Sequence, residues 1–373
     1  VLSCGGGEIG YARLVSDRLG VLLYNLGSPA STEVEDVREY LKEFLLDPRV
    51  IDAPALIRNI IVRGFILPFR PKNSAEAYRS IWTDEGSPLI VTSRRQQELL
   101  AEGTGLPVYL CMRYGEPSTP KVVADIAKDG VTHLLILPLY PHYSMASYET
   151  GLVAIEEAIQ QQCPGLSYQA VAPYYNDPEY IECLATTLRP HVETADGFDH
   201  LLLSYHGIPE RHLRKSDPSH AHCLSCERCC DLPNPAHATC YRHQCLETSR
   251  LVREKLKVPE EKFSVSFQSR LGRDPWLQPY TDKTLEALPE KGKKKLVIAC
   301  PAFVTDCLET IEEIGEEGKE TFMEAGGEAF TMVPCLNDHP QWITYLADRV
   351  GKWRQAPQTV SRNAQMKFFY ESS

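Results

Sequence analysis

Three apolar segments recur in the same order in the two halves of this 373-residue chain, and that repetition restricts the fold more than any other feature. Residues 21–29 (VLLYNLGSP) echo 201–209 (LLLSYHGIP), each an apolar run that ends in Gly-x-Pro. Residues 108–117 (VYLCMRYGEP) echo 265–275 (VSFQSRLGRDP), and 134–144 (LLILPLYPHYS) echo 296–306 (LVIACPAFVTD). Self-similarity in a fixed order implies two similar halves, joined near residues 174–178. Apolar runs of strand length alternate with stretches of helical period, the pattern of parallel sheets covered by helices on both faces. The expected fold is α/β, with two doubly wound, Rossmann-like halves over residues 20–175 and 176–350. Ligands of such folds bind beyond the carboxyl ends of the strands and between domains, so the equivalent strand ends should face one crevice.

Charge narrows the partners. With 39 basic and 50 acidic residues the chain carries a formal charge of -11, which argues against a polyanion binder and so against nucleic acid. No apolar stretch reaches the roughly 18 to 20 residues that span a bilayer, so contact with a membrane would be peripheral. Residues 51–71 (IDAPALIRNIIVRGFILPFRP) interrupt apolar Leu56, Ile60, Ile61, Phe65, Ile66 and Leu67 with Arg58, Arg63 and Arg70. As a helix this segment is amphipathic, and it reads as a core-facing helix, a lip over an apolar ligand or a patch that touches the inner membrane. The start, Val1-Leu2-Ser3-Cys4-Gly5, is similar to a lipoprotein cleavage box but has no basic or apolar region before it, and reads as leader sequence. Composition assigns no oligomeric state.

Chemistry is offered first by His206. The run Leu201-Leu202-Leu203 leads into Ser204-Tyr205-His206-Gly207-Ile208-Pro209, which delivers an imidazole where a strand must stop and turn. The other reading is a histidine that satisfies a turn. A second segment begins after the stop at Pro301, where Asp306, Glu309 and Glu313 are spaced three and four apart. On a helix they share one face, and stacked carboxylates call for a cation, protons or basic groups among them. An acidic start to a solvated helix is the plainer alternative. Met112-Arg113-Tyr114 ends a strand, where the Arg can clamp a ligand carboxylate or join a salt bridge, and Tyr140, Trp276 and Phe303 offer aromatic surface for a crevice wall. Residues 84–88 (DEGSP) read as the turn that starts a helix.

Six of the thirteen cysteines crowd into residues 223–245, as Cys223-x2-Cys226-x2-Cys229-Cys230-x9-Cys240-x4-Cys245, with helical sequence from about Thr248 onward. That density in a Pro-containing loop signals a metal: an iron-sulfur cluster on four thiolates, a structural zinc, or else a redox loop. The scattered thiols, such as Cys111, Cys183 and Cys300, sit in apolar settings and read as buried and inert. A reducing cytoplasm suits this usage.

Taken together, these segments resemble the ferrochelatase family, whose members insert ferrous iron into protoporphyrin IX to make protohaem. The resemblance runs from about Gly20 to Val350. It is carried by residues 203–212, 303–313 and 140–144, by Gln268-Ser269-Arg270 and by Pro275-Trp276. Residues 22–29 and 40–52 look closer to Gram-negative protoporphyrin enzymes than to Gram-positive coproporphyrin enzymes. The resemblance implies that His206 takes pyrrole protons or meets the iron, with Glu309 opposite and Asp306 and Glu313 extending an acidic path. It implies that Leu26, Trp276 and Phe303 hold the ring distorted, with Ser87, Met112, Arg113, Tyr114 and Tyr140 lining the pocket or holding propionates. Animal enzymes place one ligand of a [2Fe-2S] cluster where this chain has Met145, so that ligand set is not matched. The insertion over 223–245 is instead similar to the internal cluster segment of certain bacterial relatives, which implies a [2Fe-2S] cluster on Cys223, Cys229, Cys230 and Cys240, with Cys226 in reserve and structural zinc as the alternative. His142 stands where glutamine is common and is expected either to add a surface metal contact or to make a different hydrogen bond. A chelatase for another tetrapyrrole, such as coproporphyrin, and a non-catalytic iron-sulfur or zinc sensor remain the competing functions.

Overall fold

The computed structural model describes residues 18–355, except 195, 196, 271 and 273, together with 357; the leader reading of residues 1–5 lies outside them. Two four-stranded parallel sheets carry the fold. The first holds β1 (Leu19–Gly27), β2 (Val108–Tyr114), β3 (His133–Pro138) and β4 (Ser167–Ala170) in the order β2-β1-β3-β4. The second holds β5 (His200–His206), β6 (Phe263–Gln268), β7 (Lys295–Ala299) and β8 (Ala329–Met332) in the order β6-β5-β7-β8. The two orders are the same, and the three echoed segments fall on β1 and β5, β2 and β6, β3 and β7. Val21, Leu22 and Leu23 are completely buried, as are Leu201, Leu202 and Leu203. Consecutive buried residues point to opposite faces, so both faces of each sheet must be covered, and this is why the strands read as continuous apolar runs.

The halves share one core. Its largest cluster joins Leu23, Leu110 and Leu135 of the first sheet with Leu203, Phe267 and Val297 of the second. The last described helix, Pro340–Gln355, crosses over to pack on the first-half helix Pro88–Thr104 as well as on Pro178–Val192, and buries Trp342 completely.

Two local expectations change. The helix after the cysteine-rich loop begins at Tyr241 rather than near Thr248, with Cys240 as its N-cap. Its buried face comprises Tyr241, Gln244, Cys245, Thr248, Ser249, Val252 and Leu256, so polar side chains hide the apolar period that marks most buried helices. In 51–71, Ala55–Asn59 is α-helical and Ile60–Ile66 is a π-helical turn. Val62, Leu67 and Pro71 are buried and Ile51 and Ile66 pack partly against the core, whereas Leu56, Ile57, Ile60, Phe65 and Phe69 are 50–74% exposed. The core-facing reading therefore fails for most of the segment. Among the described residues no helix is long and apolar enough to cross a membrane.

Glycine ends the first strand segment of each half because backbone meets backbone there. Gly27 has φ +109°, and a Cβ on it would lie 1.8 Å from the carbonyl oxygen of Tyr114, the last residue of β2. A Cβ on Gly207 would lie 2.7 Å from the carbonyl oxygen of Gln268, the last residue of β6. Gly27→Ala must therefore adopt a strained φ and push β2 away. It is expected to cost at least about 2 kcal/mol of stability, measured by urea denaturation; an unchanged midpoint would show that the strand ends are not this tightly set.

Candidate active site

His206 is the last residue of β5, and the corner that holds it is fixed by its neighbours. Gly207 N donates to Gln268 O at 2.7 Å. The His206 Nδ1 lies 2.6 Å from Gly207 O. A carbonyl can only accept, so the proton sits on Nδ1 and leaves the Nε2 lone pair free to take a proton or meet a metal. Trp276 pairs with Pro209 through an isolated bridge and lays its indole edge 3.3 Å from where a Cβ of Gly207 would be. The Phe303 ring lies 6.4 Å from the His206 ring, centre to centre.

A cleft opens between the halves, with Phe303 in its lining. Leu26, Ser87, Tyr140, Phe303 and Glu309 all line it, bringing together five residues singled out in the sequence, whereas His206 lies outside its lining. Tyr40 and Tyr78 line it as well. Sequence reasoning missed both, because tyrosines on amphipathic helices read as ordinary core; they come from Val34–Leu45 and Arg70–Ile81 and meet edge to face at 6.3 Å. The Ser28 Oγ and the Tyr140 hydroxyl are buried here with no hydrogen-bond partner, polar atoms that a ligand can satisfy.

The acidic residues do not form one helical row. The α-helix spans Leu308–Ile311 and gives way to a π-helical stretch over Glu313–Gly318, and Asp306 precedes the α-helix N-cap, Cys307. The Asp306 carboxylate accepts from Asn337 Nδ2 at 2.6 Å, Thr310 Oγ1 at 2.9 Å and Cys335 N at 3.3 Å, so it ties the start of this helix to the loop after β8. Glu309 faces the cleft. Glu313 lines a second, separate cleft, with Asp282 and Glu317. Burial pushes the Glu313 carboxyl up and Glu309 adds to this, while a hydrogen bond from Ser269 and the nearness of His206 pull it down. Gln268 links these groups: its Nε2 donates to Glu309 O at 2.7 Å and to Glu313 Oε2 at 3.2 Å, and its backbone oxygen holds Gly207.

Three predicted pocket residues are placed elsewhere. Met112 is completely buried in the shared core. Arg113 and Tyr114 both bond to Asp47 Oδ2, at 2.5 and 3.0 Å. Burial raises the Asp47 carboxyl, but bonds from Thr150, Arg49 and Arg113 outweigh it and leave the group below its ordinary range. Strand ends of this kind look alike in sequence whether they face a ligand or a buried carboxylate. His142 is not a surface metal contact either: it is 2% exposed, its Nε2 bonds Thr248 Oγ1 at 2.9 Å, and burial pushes its pKa down to about 3.

The four favoured cysteines, Cys223, Cys229, Cys230 and Cys240, are all buried, whereas Cys226 is exposed. Their thiols lie close enough to perturb one another: Cys240 and Cys229 act on Cys230, and Cys223 and Cys230 act on Cys240. The contact with Cys223 is the chief reason that the Cys240 thiol is pushed up to about 12. Arg242 Nη1 stands 3.8 Å from the sulfurs of both Cys229 and Cys230. His222 and His237 bond the Cys229 carbonyl at 2.8 and 3.1 Å, and His243 bonds that of Cys230 at 2.8 Å. Among the described residues, no group of three or more His, Cys, Asp or Glu side chains is set as it would be around a metal ion. Cys245 lies inside the helix, bonded to Tyr241. The scattered Cys111 and Cys183 are buried, and desolvation pushes both to about 12.

Two matched parallel sheets with a strand-end crevice define a two-lobed chelatase fold, and a solved structure titled SirB from Bacillus subtilis with Fe3+ has that fold, with a TM-score of 0.52 at 13% identity over 90% of this chain and 95% of that one. The family model described as Ferrochelatase matches residues 18–353. A ferrochelatase of Opitutus terrae is 53% identical over 339 residues, covering 90% of this chain and 98% of that protein. One of Ectopseudomonas mendocina is 51% identical, covering 87% and 95%. The chain belongs to the ferrochelatase family.

Glu312 gives the acidic segment a pH signature. Burial, followed by repulsion from Glu317, Glu313 and Glu316, raises its pKa to about 7. The folded chain thus holds this proton more tightly than the unfolded chain, where a glutamate titrates near about 4.3. Ionisation therefore costs stability progressively as pH climbs from the ordinary carboxylate range to about 7. Glu312→Gln is expected to raise the melting temperature by about 1 to 3 °C at pH 8 and to leave it unchanged at pH 4; an equal gain at both pH values would rule out repulsion as the cause.

Proposed function

We propose that this chain inserts ferrous iron into protoporphyrin IX to make protohaem, with His206 and Glu309 at the reacting centre. The carrying observation is a free imidazole Nε2 at the β5 end, beside an acidic segment that reaches from one cleft to the next, in a chain of this family. Two pyrrole protons must leave the ring and hydrated iron must shed water. His206 is the proton acceptor, or the group that first meets the iron. Glu309 receives metal or protons at the cleft, and Glu313 passes charge towards the second cleft. Trp276, Phe303 and Leu26 press on the macrocycle to expose its nitrogens, and Ser87 and Tyr140 supply polar contacts at its rim. Arg113 and Tyr114, held by Asp47, act as support for the wall. Asp306 extends this path only by fixing the helix that carries Glu309.

We infer that the cysteine loop holds a [2Fe-2S] cluster. Four buried thiols, an adjacent guanidinium and three imidazoles holding the Cys229 and Cys230 carbonyls support Cys223, Cys229, Cys230 and Cys240 as ligands. Such a cluster, when bound, supplies one-electron chemistry and a cross-link within the loop. A tetrahedral zinc on the same thiols is the alternative. A single experiment tests the enzyme and the cluster: the absorption spectrum of the purified protein before and after protoporphyrin IX and Fe²⁺ are added. The expected preparation is red-brown, with about two irons and two sulfides per chain, and it converts the porphyrin spectrum to that of haem. His206→Ala, with an unchanged circular dichroism spectrum, is expected to lose at least about 100-fold in rate. Metallation of coproporphyrin but not protoporphyrin would reassign the ring. Full turnover by the His206 variant would remove it from the centre, and a colourless protein with one zinc would overturn the cluster.

The exposed apolar residues of 51–71, interleaved with exposed Arg63 and Arg70, support peripheral contact with the anionic inner membrane from the cytoplasm. Asp52 anchors the segment to the helix after His206 through Arg211 at 2.6 Å and through Lys215. Sedimentation with phosphatidylglycerol vesicles checks this: a Phe65→Ser, Phe69→Ser pair is expected to weaken binding by at least about tenfold, and equal binding by both proteins would exclude the patch.

A further inference from the structure

The peptide unit between His206 and Gly207 is held on both sides. Its N–H, from Gly207, donates to Gln268 O at 2.7 Å. Its carbonyl, that of His206, accepts from the hydroxyl of Tyr241 at 2.9 Å. His206 Nδ1 is tied to Gly207 O, in the following peptide unit, so a shift of this stretch of backbone moves the imidazole together with its partner. Tyr241 is buried, and it directly follows Cys240, the N-cap of its helix. The same first turn carries Gln244, which is completely buried. Gln244 Nε2 donates to Ala238 O at 2.9 Å and to His237 O at 3.2 Å, in the cysteine-rich loop, and its Oε1 accepts from Tyr143 N at 2.7 Å, in the segment that carries Tyr140. One helical turn therefore touches the cysteine centre, the His206 corner and the wall of the cleft.

We propose that Tyr241 is a positioning residue that couples the cysteine centre to His206: the set of Cys240 fixes the start of the helix, and the Tyr241 hydroxyl carries that position to the His206 carbonyl. This rests on the readings of His206 and of the four cysteines given above. It gives the metal of the loop a role in turnover without any electron transfer to the porphyrin.

Tyr241→Phe, made in the full chain with its metal, keeps the ring and removes the bond. The expected result is wild-type iron and sulfide content, an unchanged KM for protoporphyrin, a kcat lower by about five- to tenfold, and amide hydrogen exchange at Gly207 faster by a similar factor. Cys240→Ser, which removes a ligand, is expected to lower kcat in the wild type and to lower it no further in the Tyr241→Phe background. Unchanged kcat and unchanged Gly207 exchange in Tyr241→Phe would overturn the proposal, as would equal losses from Cys240→Ser in both backgrounds. The two readings beneath it fail separately: a wild type without iron and sulfide removes the cluster, and an active His206→Ala removes the imidazole. If Cys240→Ser does not fold, Gly207 exchange and the split between kcat and KM in Tyr241→Phe still decide.

Discussion

Everything at the crevice depends on how closely the first strand segment of each half approaches its neighbour. Gly27 lies against the last residue of β2, and Gly207 lies against the last residue of β6, at distances where a side-chain carbon has no room. Two parallel strands end together in each half, and their ends are pinned rather than splayed. The pinned end of β5 exposes an imidazole, and the pinned end of β1 exposes the Leu26 and Ser28 wall. A fixed corner matters because proton transfer and metal capture need atoms placed within fractions of an ångström, and a loop free to rotate would not supply that.

Gln268 turns this backbone contact into an electrostatic one. Its main-chain oxygen holds Gly207, its side-chain oxygen accepts from Ser204 at 2.8 Å, and its amide nitrogen reaches Glu309 and Glu313. Burial raises the pKa of both Glu312 and Glu313, and carboxylates gathered this closely repel and add to it. The repulsion is a cost to the fold that a cation or a bound proton relieves.

Much of this was legible in the sequence and the rest was hidden for definite reasons. Parallel strands buried on both faces must be apolar throughout, so the echo of 21–29 in 201–209 carried the two-sheet fold with it. His206 stood out because Gly207 and Pro209 flank it. The acidic segment was visible as composition, but its geometry was not: spacing alone assumed a helix from Asp306, whereas Asn337, some thirty residues away, captures that carboxylate and delays the helix. Arg113 and Tyr114 failed to reach the cleft for the same kind of reason, since their partner Asp47 is distant in the chain. Gln268 and Tyr241 act through backbone atoms, and a contact to a backbone carbonyl leaves no pattern in side-chain types.

The helix Tyr241–Leu256 shows what such hidden contacts cost and why they persist. A buried face built from Tyr, Gln, Cys, Thr and Ser gains less from leaving water than one of leucines, and each polar atom must find a partner or lose stability. Here Tyr241, Gln244, Thr248 and Ser249 all do: they bond to the His206 carbonyl, to Tyr143, Ala238 and His237, to His142 and the Tyr175 carbonyl, and to the Tyr205 hydroxyl. An apolar face would slide or repack with little penalty, whereas a fully bonded polar face has one low-energy register. The helix that leads out of the cysteine loop is thereby locked in both position and rotation against β5 and the Tyr140 segment. A rigid link of this kind transmits a change at its N-terminus instead of absorbing it.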